Sequence, residues 1–372
     1  MDYYTLGNTG LKVSRLALGT MTFGNDWGWG ADEANARQLF DAYLEAGGNF
    51  IDTADLYTNG NSERLLGQFV KETGSRDRVV ITTKFTYNAE PGNPNAGGNG
   101  RKNILRAVEG SLQRLGTDYI DVYMLHTWDR MTPAQEVMRT FDDLVRSGKV
   151  RHVALSNAPA WYVARAQTLA GERHLEPICT VQLEYSLVER HIEFEYVSLA
   201  QHLGTGIMVW SPLASGLLSG KYKPSQAGVE GSGRLAQLAN SGNPAFDKFT
   251  KENWAIVAEL ETVAKELDRS MAQVAINWIA NRPSVASVII GATKLYQLQD
   301  NLAALEFEIP AELQQRLDEI SRPQIHFPYT FFEPSTQGMF YGGATVGNKP
   351  TSYSQPIVVE GSGMAIATAS DS

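Results

Sequence analysis

Short apolar runs alternate with longer amphipathic stretches along most of the chain. Eight of the runs read as buried strands, near Leu16 to Gly19, Phe50 to Thr53, Val79 to Lys84, Ile120 to His126, His152 to Ser156, Thr180 to Leu183, Ile207 to Ser211 and Ser287 to Gly291. The stretches between them carry helical spacing, and strand–helix alternation of this kind predicts a parallel sheet with its crossovers covered by helices. Eight such units predict a closed (β/α)8 TIM barrel. Ahead of the first unit, Tyr3 to Leu6 and Leu11 to Val13 flank Gly7-Asn8-Thr9-Gly10, which predicts a β-hairpin plugging one end. Two helix starts are expected from capping-box spacing: Thr132 with Gln135, and Ser270 with Gln273.

Three stretches break the alternation. Asn88 to Gly100 and Ser219 to Asn243 are rich in Gly with Asn, Pro or Ser, and each follows a strand, on the side where barrels build their sites. After Arg322 the helical period is lost. This divides the chain into a barrel over 1–321 and a C-terminal extension over 322–372. The extension begins with Phe327, Tyr329, Phe331, Phe332, Met339, Phe340 and Tyr341, an apolar start able to fold over the site, and ends in a Ser-, Gly- and Ala-rich segment expected to be mobile.

Composition narrows the function. The 372 residues carry a formal charge of -9, so no basic excess offers a surface to nucleic acid. Cys179 is the only cysteine, which rules out an internal disulfide and a paired-thiol zinc site. The histidines show no metal-ligand pair at helical spacing, and no metal is implied. No basic-then-apolar leader and no membrane-length apolar run is present, which predicts a soluble, cytoplasmic protein acting on small molecules, as a monomer or a homo-oligomer.

Candidate chemistry stands at the strand ends. Asp52, Lys84 and His126 each close an apolar run, and Tyr57 follows Asp52 by one short loop. A phenol with a pKa of about 10 is a poor acid at neutral pH, and a nearby ammonium lowers that value, so Lys84 is expected to activate Tyr57. Asp52 and Lys84 alone would also suit a structural ion pair, and His126 alone a core histidine. Four polar residues at separate strand ends favour proton chemistry.

With these residues and Trp210-Ser211-Pro212-Leu213-Ala214-Ser215-Gly216-Leu217-Leu218-Ser219-Gly220-Lys221-Tyr222, the chain resembles the aldo-keto reductases over about residues 3 to 320. Within them it is more similar to the bacterial general-stress reductases and the potassium-channel β-subunits than to the mammalian aldose reductases. The resemblance implies a barrel that uses NAD(P)H without a Rossmann domain. Consistently, no G-x-G-x-x-G opens a helix, and Gly97-Gly98-Asn99-Gly100 and Gly231-Ser232-Gly233 lack the third glycine. It implies Asp52, Tyr57, Lys84 and His126 as catalytic residues, with Tyr57 passing a proton to the carbonyl oxygen as hydride arrives.

The resemblance also implies the cofactor contacts. Thr20, Met21, Asp52, Ser156, Asn157 and Gln182 lie toward the nicotinamide, with Trp210 stacking on it. Ser211, Pro212, Leu213, Gly216, Ser219 and Lys221 wrap the pyrophosphate, and Gly291, Thr293, Lys294, Gln297, Asp300 and Asn301 match the adenosine side. Thr293, Lys294, Gln297 and Arg234 put neutral or basic groups near the ribose 2′ position, which favours NADPH/NADP+ over NADH. Thr22, Phe23, Trp27, Trp29, Phe85, Tyr87 and Trp128 are candidate substrate-pocket residues, suited to a bulky apolar carbonyl or a stacked sugar. The predicted function is reversible, NADPH-dependent reduction of an aldehyde or ketone. The alternatives are a nicotinamide-binding redox sensor with little turnover and a barrel isomerase without redox cofactor.

Overall fold

The computed structural model describes residues 1–225, 228–231, 233–239, 242–243, 246–332, 334–342, 344 and 347. Its strands are β1 (Tyr3–Thr5), β2 (Lys12–Ser14), β3 (Leu16–Gly19), β4 (Phe50–Asp52), β5 (Val80–Phe85), β6 (Ile120–Leu125), β7 (Val150–Ser156), β8 (Ile178–Glu184), β9 (Gly206–Trp210), β10 (Lys223–Ser225), β11 (Gly228–Glu230) and β12 (Val285–Ile290). Strands β3 to β9 pair in sequence order, all parallel. β12 closes the ring by pairing with both β9 and β3, Val285 opposite Ile207 and Val288 opposite Leu16. This is the expected (β/α)8 barrel. Strands β1 and β2 form a separate antiparallel hairpin, and β10 and β11 another.

The helices are α1 (Glu33–Glu45), α2 (Asn61–Thr73), α3 (Arg101–Leu115), α4 (Ala134–Arg146), α5 (Ala160–Arg173), α6 (Tyr196–Leu203), α7 (Arg234–Leu238), α8 (Lys251–Glu266), α9 (Met271–Ala280), α10 (Leu295–Leu302), α11 (Ala311–Ile320) and α12 (Pro334–Phe340). Helix α9 begins as its sequence predicts. Ser270 Oγ accepts from the Gln273 N–H at 3.1 Å, and Gln273 returns a bond to the Ser270 N–H. Helix α4 does not. Its N-cap is Pro133, with no side-chain cap, because the Thr132 hydroxyl donates instead to Asp129 at 2.6 Å.

Alternation along each strand separates two apolar regions. Outward residues such as Ile81, Phe85, Tyr123 and Leu125 join the helices in the larger core, while Phe50, Val80, Val122, Met124 and Met208 fill the barrel interior. The hairpin plugs the end from which the strands start. Leu6 and Val13 are fully buried in that interior cluster. Gly7, at φ +58°, lies so close to the barrel that a Cβ there would sit 2.2 Å from the Cys179 carbonyl.

The extension makes one turn over Tyr329–Phe332 before α12. The Tyr329 ring packs 4.7 Å from Phe194, and its hydroxyl donates to Glu195 at 2.7 Å, just ahead of α6. Phe327, Phe331, Phe332, Met339 and Phe340 stay exposed. The Ser-, Gly- and Ala-rich end lies outside the described residues. No described helix is long and apolar enough to cross a membrane.

Candidate active site

At the C-terminal end of the strands the interior turns from apolar to ionic. Period-two spacing places Asp52 two residues beyond Phe50, Lys84 four beyond Val80, and His126 two beyond Met124, so all three face inward. Lys84 Nζ, with no exposed surface, donates to Asp52 Oδ2 at 2.7 Å, to the Thr53 carbonyl at 2.8 Å and to the Tyr57 hydroxyl at 3.2 Å. Those three bonds use every proton of the ammonium. Gln182 Nε2 donates to the other Asp52 oxygen at 2.8 Å and approaches the Met208 sulfur at 3.3 Å. The ion pair is thus held from β4, β5 and β8 together.

Tyr57 reaches the same point from a turn of unusual backbone. Thr58 and Asn59, immediately after it, adopt left-handed conformations at φ 46° and 56°. The Thr58 hydroxyl holds the turn by donating to the Phe23 carbonyl at 2.8 Å. The Tyr57 ring meets His126 edge-on at 5.8 Å and Trp27 at 6.5 Å, and Tyr87 meets His126 at 5.1 Å. A phenol, an imidazole and an ammonium therefore converge below an aromatic rim.

Electrostatics set their protonation. Burial opposes the charge of Lys84, yet Asp52 and Tyr57 hold its pKa above the ordinary lysine value. For Tyr57 the expectation of a lowered pKa is reversed: burial pushes the phenol up, and Lys84 only pulls part of the way back. The physical reason is that burial of the phenol outweighs the pull of Lys84, and the nearby Asp52 carboxylate adds to the rise. Burial and the neighbouring Lys84 press the His126 pKa well below its usual value. His126 is neutral at neutral pH, and its Nδ1 is buried with no hydrogen-bond partner.

A buried Asp–Lys pair thus touches a tyrosine hydroxyl beside a histidine, and comparison with known proteins gives the family. Residues 15–322 match the aldo/keto reductase family. The chain is 38% identical to the uncharacterized oxidoreductase YrpG of Bacillus subtilis over 86% of its own length and 96% of that protein's. It is 37% identical to a probable voltage-gated potassium channel subunit beta of Oryza sativa (86% and 95%), and 33% identical to an aryl-alcohol dehydrogenase of Pestalotiopsis microspora (86% and 82%). The chain belongs to the aldo/keto reductase family. It is an oxidoreductase with a small-molecule substrate, in a family that generally uses NAD(P)H.

In this aldo/keto reductase the residues expected at the nicotinamide are already linked to the site. Asn157 Nδ2 donates to the His126 carbonyl at 3.0 Å and to Ser156 Oγ at 2.9 Å, and its Oδ1 accepts from the Trp210 indole at 3.1 Å. One amide thus fixes the ends of β6, β7 and β9. Thr20 is buried, and its hydroxyl bonds the Asp52 carbonyl at 3.0 Å and Ser62 at 2.7 Å, a partner the sequence did not suggest. Met21 lies half-buried in the next turn.

After β9 the backbone turns repeatedly through left-handed residues: Ser211, Ala214, Ser215, Gly216 and Gly220 all have positive φ. The Ala214, Ser215, Gly216 and Leu218 amides are all taken by acceptors inside this segment. Ser211 Oγ and Ser219 Oγ brace it from within, Leu213 accepts from the Gly216 and Leu218 amides, and Pro212 fills the first turn. Lys221 folds back so closely that a Cβ on Gly216 would lie 2.5 Å from its Cε. The Gly216 φ of +93° is what favours glycine there, since the Lys221 side-chain end could swing aside.

Beyond β12, Gln297 caps α10 by accepting from the Thr293 and Lys294 amides, and Asn301 reaches back to the Gly291 carbonyl at 3.3 Å. Asp300 accepts from Ser270 and from Gln273, each at 2.8 Å, so both its oxygens serve the start of α9. Arg234 stands apart from this group. Its guanidinium lies over the Trp29 ring at 5.4 Å and near Phe246, and its charge is felt at Tyr57. No contact among the described residues joins it to Thr293, Lys294 or Gln297.

Two pocket expectations are corrected. Phe85 is fully buried in the outer core, stacked 5.0 Å from Tyr123 and edge-on to Phe141 of α4. Because its strand neighbour Lys84 faces inward, Phe85 must face the helices. Phe23 is likewise fully buried, packed 6.2 Å from Phe69 of α2. The Trp27 ring meets both Trp29 and Tyr57, and Tyr87 meets His126, while the Trp128 ring packs with Trp161 and Tyr162. Thr22 bonds the Ala292 carbonyl at 2.9 Å and joins β3 to β12 at the rim.

Proposed function

We propose that this protein is an NADPH-dependent carbonyl reductase, equally able to oxidise the corresponding alcohol, with Tyr57 as the general acid and base. The observation that carries the reading is the Lys84 ammonium, which donates to the Tyr57 hydroxyl while paired with Asp52. The residues fit a nicotinamide dinucleotide. The left-handed turns after β9, with Lys221 folded against them, would hold the pyrophosphate, and Ser156, Asn157 and Gln182 would present hydrogen bonds to the carboxamide beside Trp210. When bound, the cofactor supplies or accepts the hydride.

The protein's own part is proton transfer and positioning. Raised by burial, the Tyr57 phenol stays protonated through neutral pH and is ready to donate to an oxygen that gains charge as its carbon is reduced. Lys84 then stabilises the phenolate left behind, and Asp52 keeps Lys84 in place. Neutral His126 offers Nδ1 or Nε2 to orient the carbonyl. Trp27 and Tyr87 exclude water from the reacting oxygen.

Support for NADPH comes from the far end. A site for NADH commonly sets a carboxylate on the ribose hydroxyls. Here the nearby Asp300 is engaged by Ser270 and Gln273, while Lys294 brings the positive charge a 2′-phosphate would need. The aromatic mouth and the aryl-alcohol dehydrogenase relative favour an aromatic carbonyl. We read the extension from 322 as a partial cover, since Tyr329 docks beside the loop that follows β8.

Tyr57→Phe tests the reading. With NADPH and a panel of aryl aldehydes and ketones, turnover should fall about 10²- to 10⁴-fold while cofactor affinity is kept. Turnover unchanged in the variant would remove Tyr57 from the chemistry. Wild-type protein that binds NADPH and reduces nothing would favour the redox-sensor reading that the channel-subunit relative brings.

A further inference from the structure

A second concavity lies outside the barrel mouth, between the loop after β6 and the first turns of α5. Its volume is about 590 Å³, within the range of small-ligand sites. Trp128, Trp161 and Tyr162 line it as three mutually packed rings, with centroids 5.4 to 6.1 Å apart and Trp128 and Trp161 edge-to-face at 88°. Trp161 remains 60% exposed although it is the largest kind of apolar side chain. Arg130 and Arg165 stand at its rim, both exposed, and neither forms an ion pair among the described residues. No carboxylate lines the concavity, in a chain whose formal charge is -9.

The walls are preformed. Asp129 accepts from the Asn99, Met131 and Thr132 amides and from the Thr132 hydroxyl, which holds Arg130 in a left-handed backbone at φ 62°. The Tyr162 hydroxyl donates to the Thr132 carbonyl at 3.2 Å, tying α5 to this loop. Trp161 and Arg165 are four residues apart in α5 and so lie on one face of the helix.

We propose that this groove binds a planar aromatic carboxylate, its ring against Trp161 and Trp128 and its anion between Arg130 and Arg165. Guanidinium groups match carboxylates in two-pronged geometry and stack on flat rings, so the two features recognise one ligand. The site is independent of the hydride chemistry, yet it is connected to it. The Trp128 amide donates to the Asn157 carbonyl, and the Asn157 side chain bonds His126 and Trp210.

Calorimetric titration of the full-length protein with 2-naphthoate and with neutral 2-naphthalenemethanol tests the assignment. The wild type should bind the anion, and binding should weaken about tenfold or more in Arg130→Gln/Arg165→Gln. The neutral alcohol should bind more weakly than the anion and be insensitive to that change. Trp161→Ala should weaken both ligands. Tyr57→Phe should leave naphthoate affinity unchanged, whether or not the protein turns substrate over. Arg130, Trp161 and Arg165 are at exposed positions, and circular dichroism checks that each variant is folded. Four results would overturn the proposal: no binding to wild type, equal binding to the double arginine variant, loss of binding in Tyr57→Phe, which would put the ligand in the catalytic pocket, or a wild-type dimer that Trp161→Ala dissociates, which would assign the groove to a second copy.

Discussion

The two ends of the barrel interior are built from the same strands and solve opposite problems. At the starting end, Leu6 and Val13 of the hairpin close over Phe50, Val80, Val122 and Met208, and dispersion and burial suffice. At the finishing end the space holds a carboxylate, an ammonium, an amide and an imidazole. An unpaired buried ion would be expelled or neutralised there. The ions are kept because each has fixed partners: Asp52 has Lys84 and Gln182, and Lys84 has Asp52, Thr53 and Tyr57. An apolar floor thus makes the ionic layer above it more strongly coupled, since no water enters from below to screen it. Stability and reactivity are divided along the barrel axis.

The largest expected effect follows from breaking that layer on one side only. Asp52→Leu leaves Lys84 buried beside two neutral oxygens, and the loss of one partner from a buried ion pair costs about 3–5 kcal/mol. Asp52→Leu/Lys84→Met extends the apolar floor upward and should recover much of that loss while abolishing turnover. Urea unfolding of the wild type, Asp52→Leu, Lys84→Met and the double variant measures this. A double variant whose loss equals the sum of the two single losses would mean that the layer is not a coupled pair.

The opposite end should respond to shape instead of charge. Gly7→Ala must adopt a left-handed backbone, and its Cβ must move away from the Cys179 carbonyl, so the hairpin has to lift. A loss of about 1–3 kcal/mol is expected from the backbone alone, with turnover per folded molecule unchanged. Thermal unfolding and a rate measured on the same sample check it. A fall in rate without loss of stability would show that the plug communicates with the site and that the two ends are not separable.

Much of this was legible in the sequence because barrel strands are short, apolar and evenly separated by helices. The strand ends were also legible, since an ionisable residue terminating an apolar run has few structural reasons to be there. Which face each neighbour takes was harder. Phe85 follows Lys84 directly, and position along the chain suggested the pocket, but alternation sends it to the helices. Phe23 sits in a loop, where no period exists to give its direction. Thr132 had the spacing of a helix cap, and only the fold shows Asp129 competing for its hydroxyl. The Gln182 bond to Asp52 spans 130 residues and has no local signal. The direction of the Tyr57 shift depends first on how deeply the phenol is buried, which spacing does not contain.

The smallest effect distinguishes two acids on one loop. Asp52 faces the interior with both oxygens bonded, whereas Asp55, three residues on, has a buried Oδ1 without a hydrogen-bond partner. Burial, together with nearby Glu63, pushes the Asp55 pKa from 3.8 up to about 7, against the pull of Arg114. Between those values the folded protein holds a proton that the unfolded chain has released. The stability linked to that proton is complete below about pH 4 and is lost as pH rises through about 7. Asp55→Asn keeps the shape and removes the titration, so its stability relative to wild type should increase from pH 5 to pH 8.5. Urea midpoints of both proteins at the two pH values give the comparison. A gap that stays constant would mean that Asp55 is charged throughout, its burial offset by Arg114, and that the loop treats its two acids alike.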